Sequence, residues 1–285
     1  MRNLFDFLSC LIIVFMHGNR LLYSQSLVSK KAVANIQGKI VGGKAVNMEM
    51  FPTSVQFFNV GAMCGGTILN SWSVLTAAHC FDVNTDVNDM VVQVGSRYFY
   101  DFNAKSHDIF SFAIHERYNK SAQFACDIAL LFLETPIKFT NKSKKALIVT
   151  HNMWMNEKEK TFIATGWGWT TYDGQISQHG LMMTTLKFIS SKKCSKMHGI
   201  KLTADMFCLY GEGKRDTCRG DSGGGVLWNG MLVGITSHGD GCAKKYKPSV
   251  YANVWYLRNW IEKTFYKFKD EHCLNNKGLN MTTSL

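Results

Sequence analysis

The chain has 285 residues, 46% of them apolar, which is enough for a sizeable core in one large or two medium domains. Its formal net charge is +11, but residues 1–39 carry five basic side chains (Arg2, Arg20, Lys30, Lys31, Lys39) and one acid (Asp6), leaving 27 basic against 20 acidic groups, a net +7, on 40–285. That balance favours encounters with acidic surfaces, yet no basic stripe with interleaved stacking aromatics accompanies it, so it does not make a nucleic-acid binder.

The first residues read as a signal peptide. Arg2 supplies the positive charge and Phe7 to Met16 an apolar run interrupted only by Ser9, too short to span a bilayer. Asp6 is awkward there, the cleavage site stays open between the neighbourhoods of Gly18 and Ser24, and a buried N-terminal helix is the other reading. No later segment is apolar enough to cross a membrane, so the mature chain is expected to be soluble and secreted to the extracellular space, with no membrane partner. A polar stretch without cysteine continues to Lys39, and Ile40-Val41-Gly42-Gly43 follows that single basic residue.

From Thr53 onward the pattern is short β-rich runs: Thr53–Val60, Cys64–Leu69, Val74–Ala77, Met90–Gly95, Ile109–Ile114 and Ile128–Glu134, then Lys160–Gly166, Leu181–Ile189, Met206–Tyr210, Gly224–Trp228, Met231–Ser237 and Val250–Val254. Strands of this length and spacing predict sandwiches or barrels. Asn229-Gly230 between two apolar runs is a strong hairpin signal. A polar, lysine-rich crossover around Thr140–Lys145 separates the two sets. Tyr256–Phe268 places Trp260, Ile261, Thr264, Phe265 and Phe268 at helical spacing with Arg258, Lys263, Lys267 and Lys269 between them, an amphipathic C-terminal helix. That basic helix and Lys244-Lys245-Tyr246-Lys247 are either a polyanion-docking surface or a solvated face.

Nine cysteines, of which Cys10 leaves with the signal, give an even eight, as expected of disulfides in an oxidising compartment. Asn119, Asn141 and Asn280 open Asn-x-Ser/Thr tripeptides, glycosylation acceptors in that compartment.

Three segments carry chemistry. Asp216-Thr217-Cys218-Arg219-Gly220-Asp221-Ser222-Gly223-Gly224 offers a hydroxyl on a sharp turn with unobstructed N–H groups for a developing oxyanion. A serine needs a base, and a base needs an orienting carboxylate. Thr76-Ala77-Ala78-His79-Cys80 supplies a histidine at a strand end, and Cys126-Asp127-Ile128-Ala129-Leu130-Leu131 a carboxylate opening an apolar strand.

With Ile40-Val41-Gly42-Gly43, Cys-Gly-Gly-Thr-Ile-Leu-Asn at 64–70 and Thr-Gly-Trp-Gly at 165–168, in this order, the chain resembles the trypsin/chymotrypsin family of serine endopeptidases over residues 40–265. The resemblance implies an all-β fold: two antiparallel six-stranded barrels, about 50–140 and about 146–254, packed together with a C-terminal α-helix at 256–268. The peptidase domain would cover 40–270, after a signal peptide (1–24, its end open) and an activation propeptide (25–39), and before a tail (271–285). It also implies a trypsin-like secreted zymogen whose nucleophile is Ser222, whose base is His79 and whose orienting acid is Asp127. These roles are those of the family's general scheme. Gly220 and Ser222 would form the oxyanion hole, and Asp216, Thr217, Ser237, Gly239 and Ser249 the substrate pocket, with Asp216 at its base selecting Arg or Lys. Cleavage after Lys39 would free the Ile40 amine to pair with Asp221. Expected partners are a protein or peptide substrate with Arg or Lys at the cleavage site, an activating protease and protein inhibitors; a monomer is expected. The resemblance requires no cofactor and no metal, and Ser96–Asp108 lacks the glutamate pair that binds calcium in trypsins.

Cys64 with Cys80, Cys194 with Cys208, and Cys218 with Cys242 match disulfides usual in the family. Cys126 and Cys273 then remain, and because the family's helix packs near the triad Asp, a returning tail is expected to join them. Phe162 and Trp228 stand where another family bridge would be, implying an apolar contact in its place. Other departures are His238 for Trp, Ser249 for Gly, Gly225 for Pro, Arg219 for a neutral residue and Cys126 for Asn. None removes a catalytic group. The alternative reading is a catalytically weak homologue acting as a binding or cofactor protein.

Overall fold

A computed structural model of the chain describes residues 40–155, 160–170, 174 and 180–273. The expected signal peptide, the propeptide with Lys39, Asn280 and residues 274–285 of the tail lie outside the described residues.

The first strands are β1 (Lys44–Ala45), β2 (Ser54–Asn59), β3 (Ala62–Asn70), β4 (Ser73–Thr76), β5 (Met90–Val94), β6 (Lys105–Ile114) and β7 (Ala129–Leu133). They are followed by β8 (Leu147–Ile148), β9 (Thr161–Gly166), β10 (Met182–Ile189), β11 (Met206–Tyr210), β12 (Gly225–Trp228), β13 (Met231–His238) and β14 (Ser249–Asn253). Among the described residues the α-helices are α1 (Ser191–His198) and α2 (Val254–Cys273). The strands β2-β3-β4-β7-β6-β5 close one antiparallel six-stranded barrel. The second runs β9-β10-β11-β14-β13-β12 and closes through the β12–β9 pair, with β1 beside β10 and β8 parallel to β13. The crossover around Thr140–Lys145 still follows the first barrel, Lys144 donating to Pro52 and Ala146 to Ile68, before β8 joins the second.

The strands follow their apolar runs. Val74-Leu75 and Ala129–Leu133 are wholly buried, each large aliphatic contributing about 1.5–3 kcal/mol. Strand β6 starts four residues before the apolar run because polar Lys105–Asp108 pair with β5, Val94 opposite Lys105 and Val91 opposite Asp108. The Asn229-Gly230 hairpin forms as expected, Trp228 opposite Met231.

Helix α1 is an addition to the sequence reading. The Ser190 hydroxyl accepts from the Lys193 N–H at its start and Gly199 closes it in a left-handed conformation. Helix α2 exceeds 256–268 at both ends. It begins at Val254 because the Asn253 side chain accepts the Tyr256 N–H. Its buried stripe is Leu257, Ile261, Phe265 and Phe268, which packs on the core of the first barrel, so the last element of the chain returns across to the first. Trp260 is half-buried at the edge, stacked on His115 and donating to Glu116. Among the described residues no helix is long and apolar enough to cross a membrane.

Among the described residues three disulfides form: Cys64–Cys80, Cys194–Cys208 and Cys218–Cys242. The expected fourth, Cys126–Cys273, is corrected: Cys126 is a free, buried thiol. Cys273 is the last residue of α2, and its side chain lies outside the described residues. The path of the helix is the reason. Trp260 lies beside the 115–116 segment, whose His115 pairs with Ile128 close to Cys126, but α2 stays helical for thirteen more residues instead of turning back. At 1.5 Å per residue that carries position 273 about 20 Å onward, where Phe268 stacks on Phe132 and His272 meets Phe110. Phe162 and Trp228 share one apolar cluster, but Phe162 packs on Trp154, Phe188 and Phe207, while Trp228 meets His151 and the Lys160 ammonium.

Candidate active site

His79 lies on a single 3₁₀ turn, Ala78–Phe81, immediately after β4. The next residue, Cys80, is tied to Cys64 of β3, which limits how far that turn can move. Asp127 sits where the chain enters β7 and is 1% exposed. Its Oδ2 meets His79 Nδ1 at 2.8 Å, and its Oδ1 accepts the His79 backbone N–H at 2.9 Å. The Ser237 hydroxyl donates to the same Oδ2. Burial pushes the Asp127 pKa up, but these donors and the charge of His79 outweigh it and the net shift is downward. Burial likewise pulls His79 down, and the bond to Asp127, the Asp127 charge and Asp82 turn the net shift upward. An ionised carboxylate only accepts, so the neutral imidazole is assigned its proton on Nδ1, leaving Nε2 as acceptor.

Ser222 is held between the barrels. Its carbonyl accepts the Gly65 N–H from β3 at 2.6 Å, and the Gly223 N–H donates to Thr236 of β13. Gly223 has φ +79, and a side chain there would collide with the Thr76 hydroxyl and the Gly65 carbonyl. The turn after the serine therefore presses against the segment leading to His79. The Trp169 N–H holds the Arg219 carbonyl at 2.7 Å. In a planar trans peptide the following N–H points the opposite way, and the N–H groups of Gly220 and Ser222 have no backbone partner among the described residues.

The family model for trypsin matches residues 40–261. The chain belongs to the trypsin family. Trypsin epsilon of Drosophila erecta is 33% identical over 80% of this chain and 88% of its own length. Trypsin alpha-4 of Lucilia cuprina is 34% identical over 82% and 90%, and Hypodermin-A of Hypoderma lineatum 34% over 79% and 86%. Membership of the trypsin family makes the chain a serine-type endopeptidase.

Beside Ser222 in this trypsin-family chain lies a pocket of roughly 340 Å³ whose lining includes Thr217, Ser237, Gly239 and Ser249. Asp216 lies behind it, 3% exposed. Burial pushes its carboxyl up to about 6, partly offset by donors from Ser249, Ala243 and Thr217. Asp221 is wholly buried, pushed up to about 7 by burial, and accepts the N–H groups of Cys218 and Gly168. Gly166 and Gly168 leave room for it, since a side chain on either would overlap the carboxylate. The Ile40 side chain is fully buried, and Val41 bridges to Asp216.

Phe124 was not singled out by its sequence. It holds φ 58, stacks on His238 at 4.5 Å and turns its edge to His79. An aromatic three residues before Asp127 was the available signal. His238 pairs with the Ser237 hydroxyl, and burial takes it down to about 4. Cys64 and Cys80 lie within ligand reach of His79, but their sulfurs are bonded to each other, so they offer no thiolate. Lys244 and Lys247 both pair with Asp240, and Arg258 and Lys267 with Glu262 and Glu271, which favours the solvated-face reading of those basic runs. Asn119 and Asn141 are exposed.

Proposed function

We propose that the chain is secreted as an inactive precursor and that, after cleavage between Lys39 and Ile40, it hydrolyses peptide bonds following Lys or Arg through an acyl-enzyme. The observation that carries this reading is the His79 ring held through Nδ1 by the buried Asp127 carboxylate, with the Ser222 turn packed against the segment before it.

The Ser222 hydroxyl attacks the scissile carbonyl while His79 Nε2 takes its proton. The N–H groups of Gly220 and Ser222 receive the oxyanion. His79, now imidazolium and stabilised by Asp127, returns the proton to the leaving amine. A water then gives its proton to His79 and its oxygen to the acyl carbon, and His79 reprotonates Ser222. Asp216 supports a basic side chain as the preferred ligand, because a buried carboxylate gains most from a cation.

Asp221 supports activation by cleavage. It is a buried acid with no cation beside it among the described residues, and it holds Cys218, two residues before Gly220. The Ile40 amine released by cleavage would supply that cation and order the loop. Secretion fits the front of the sequence, and glycosylation fits exposed Asn119 and Asn141 together with Asn280.

The test is the precursor expressed whole and cleaved after Lys39. Stoichiometric labelling of Ser222 by a serine-directed phosphonate, with peptide cleavage after Lys or Arg, is expected. Failure to label after cleavage would return the chain to a binding role, and full activity of uncleaved Lys39→Gln protein would remove the activation step.

A further inference from the structure

The floor of the pocket is already crowded with donors. A carboxylate offers about four lone-pair positions. Asp216 Oδ1 accepts the Thr217 N–H at 2.9 Å and the Ser249 hydroxyl at 2.6 Å, and Oδ2 accepts the Ala243 N–H at 2.9 Å. One position remains, on Oδ2. Ser249 lies on β14 with its backbone paired to Leu209 of β11, and it is 4% exposed. Its hydroxyl also rises toward the opposite wall, where a side chain on Gly239 would come within 3.0 Å of it.

We propose that this pocket selects Lys over Arg before the scissile bond, and that the Ser249 hydroxyl makes the selection by occupying one oxygen of Asp216; the inference rests on Asp216 being the base of the substrate pocket. A guanidinium binds carboxylate best as a planar fork that needs an open lone pair on each oxygen. Oδ1 has none. An ammonium is a compact charge with three rotatable donors. It can use the open position on Oδ2 and the Ser249 oxygen, which keeps an accepting position while its proton is directed at Asp216 even with the Tyr251 hydroxyl hydrogen-bonded to it; Thr217 also lines the pocket, its hydroxyl paired with that of Tyr251. Admitting the fork would require Ser249 to leave Asp216 and remain a buried hydroxyl without that partner. Ser249 is therefore a specificity-determining residue at the pocket floor, beyond its added bulk.

The experiment uses the activated full-length protein, with active sites counted by phosphonate titration so that misfolded material does not enter the rates. Two peptides differing only in Lys or Arg before the cleaved bond are compared. The expected result is a kcat/KM for Lys at least about tenfold above Arg, the value of one charge-assisted hydrogen bond. Ser249→Gly should move the ratio toward Arg by a similar factor. Ser249→Ala, which keeps the bulk and removes the donor, should move it in the same direction. Arg cleaved as well as Lys by the unaltered protein would overturn the inference while leaving the basic pocket intact, and a ratio unchanged in both variants would remove Ser249 from the selection. Cleavage of neither peptide, but of one with an apolar residue there, would instead overturn the reading of Asp216.

Discussion

The Ser237 hydroxyl donates to Asp127 Oδ2 at 2.5 Å, the same oxygen that meets His79 Nδ1 at 2.8 Å. Two donors thus share one buried carboxylate oxygen, and each moderates what the other feels. The His79 pKa is raised above its ordinary 6.5, and in its proposed role as base it must be neutral to act, so kcat/KM should fall as pH drops through a value above 6.5. Ser237→Ala leaves more of the Asp127 charge facing His79 and should move that acid limb further up. A limb that moves down in the variant would contradict the arrangement.

The uncleaved chain should lose stability as pH rises. Burial holds Asp221 at about 7 against an ordinary 3.8. A raised carboxyl binds its proton more tightly when folded, so its contribution is full below about pH 4 and is lost as pH rises through about 7. The difference corresponds to roughly 4 kcal/mol for a group this buried. Asp216, pushed to about 6, adds to the decline in both forms. Under the proposed activation, cleavage after Lys39 would give Asp221 a cation, and melting curves from pH 4 to 8 should then separate the two forms, Lys39→Gln protein falling further than cleaved protein. Parallel curves would count against the pairing.

Cys126 should be silent to thiol reagents in the folded protein. It is 3% exposed, and burial, with Asp205 nearby, pushes it up to about 11, so little thiolate exists at pH 8. Labelling should appear only in denaturant, and non-reduced peptide maps should show the three bridges without Cys126. A peptide linking Cys126 to Cys273 would restore the bridge expected from the sequence.

Phe268→Ala should cost about 3–5 kcal/mol, the usual range for emptying a buried aromatic site. The ring is 6% exposed and stacks on Phe132 with centroids 3.7 Å apart. Urea titration of the purified variant measures the cost, and a loss under 1 kcal/mol would mean that α2 is not anchored there.

The segments proposed to be catalytic stand out in the sequence because the chemistry proposed for them needs contiguous residues. Thr-Ala-Ala-His-Cys and Gly-Asp-Ser-Gly-Gly each carry a reactive group with the small neighbours its turn demands. Strands were legible from β-branched and aromatic runs, and the hairpin from Asn229-Gly230. Helix α1 was not, because Ser191-Lys-Lys-Cys-Ser-Lys-Met-His198 has no apolar stripe; its two ends alone mark it. The Cys126 bridge was misread because a pairing between distant cysteines depends on where a helix stops, and α2 continues past Phe268 through His272, which meets Phe110 and stacks on Phe268. The contact of Phe124 with His79 depends on a left-handed backbone that its residue type disfavours, so no local propensity announces it.

The Gly65 N–H of the first barrel bonds the carbonyl of Ser222, whose loop belongs to the second. The proposed nucleophile is thereby a keystone set across a seam, and its aim would depend on two separately closed walls staying in register. Warming or mild denaturant should therefore silence hydrolysis before either wall comes apart, and turnover becomes the more sensitive gauge of that joint.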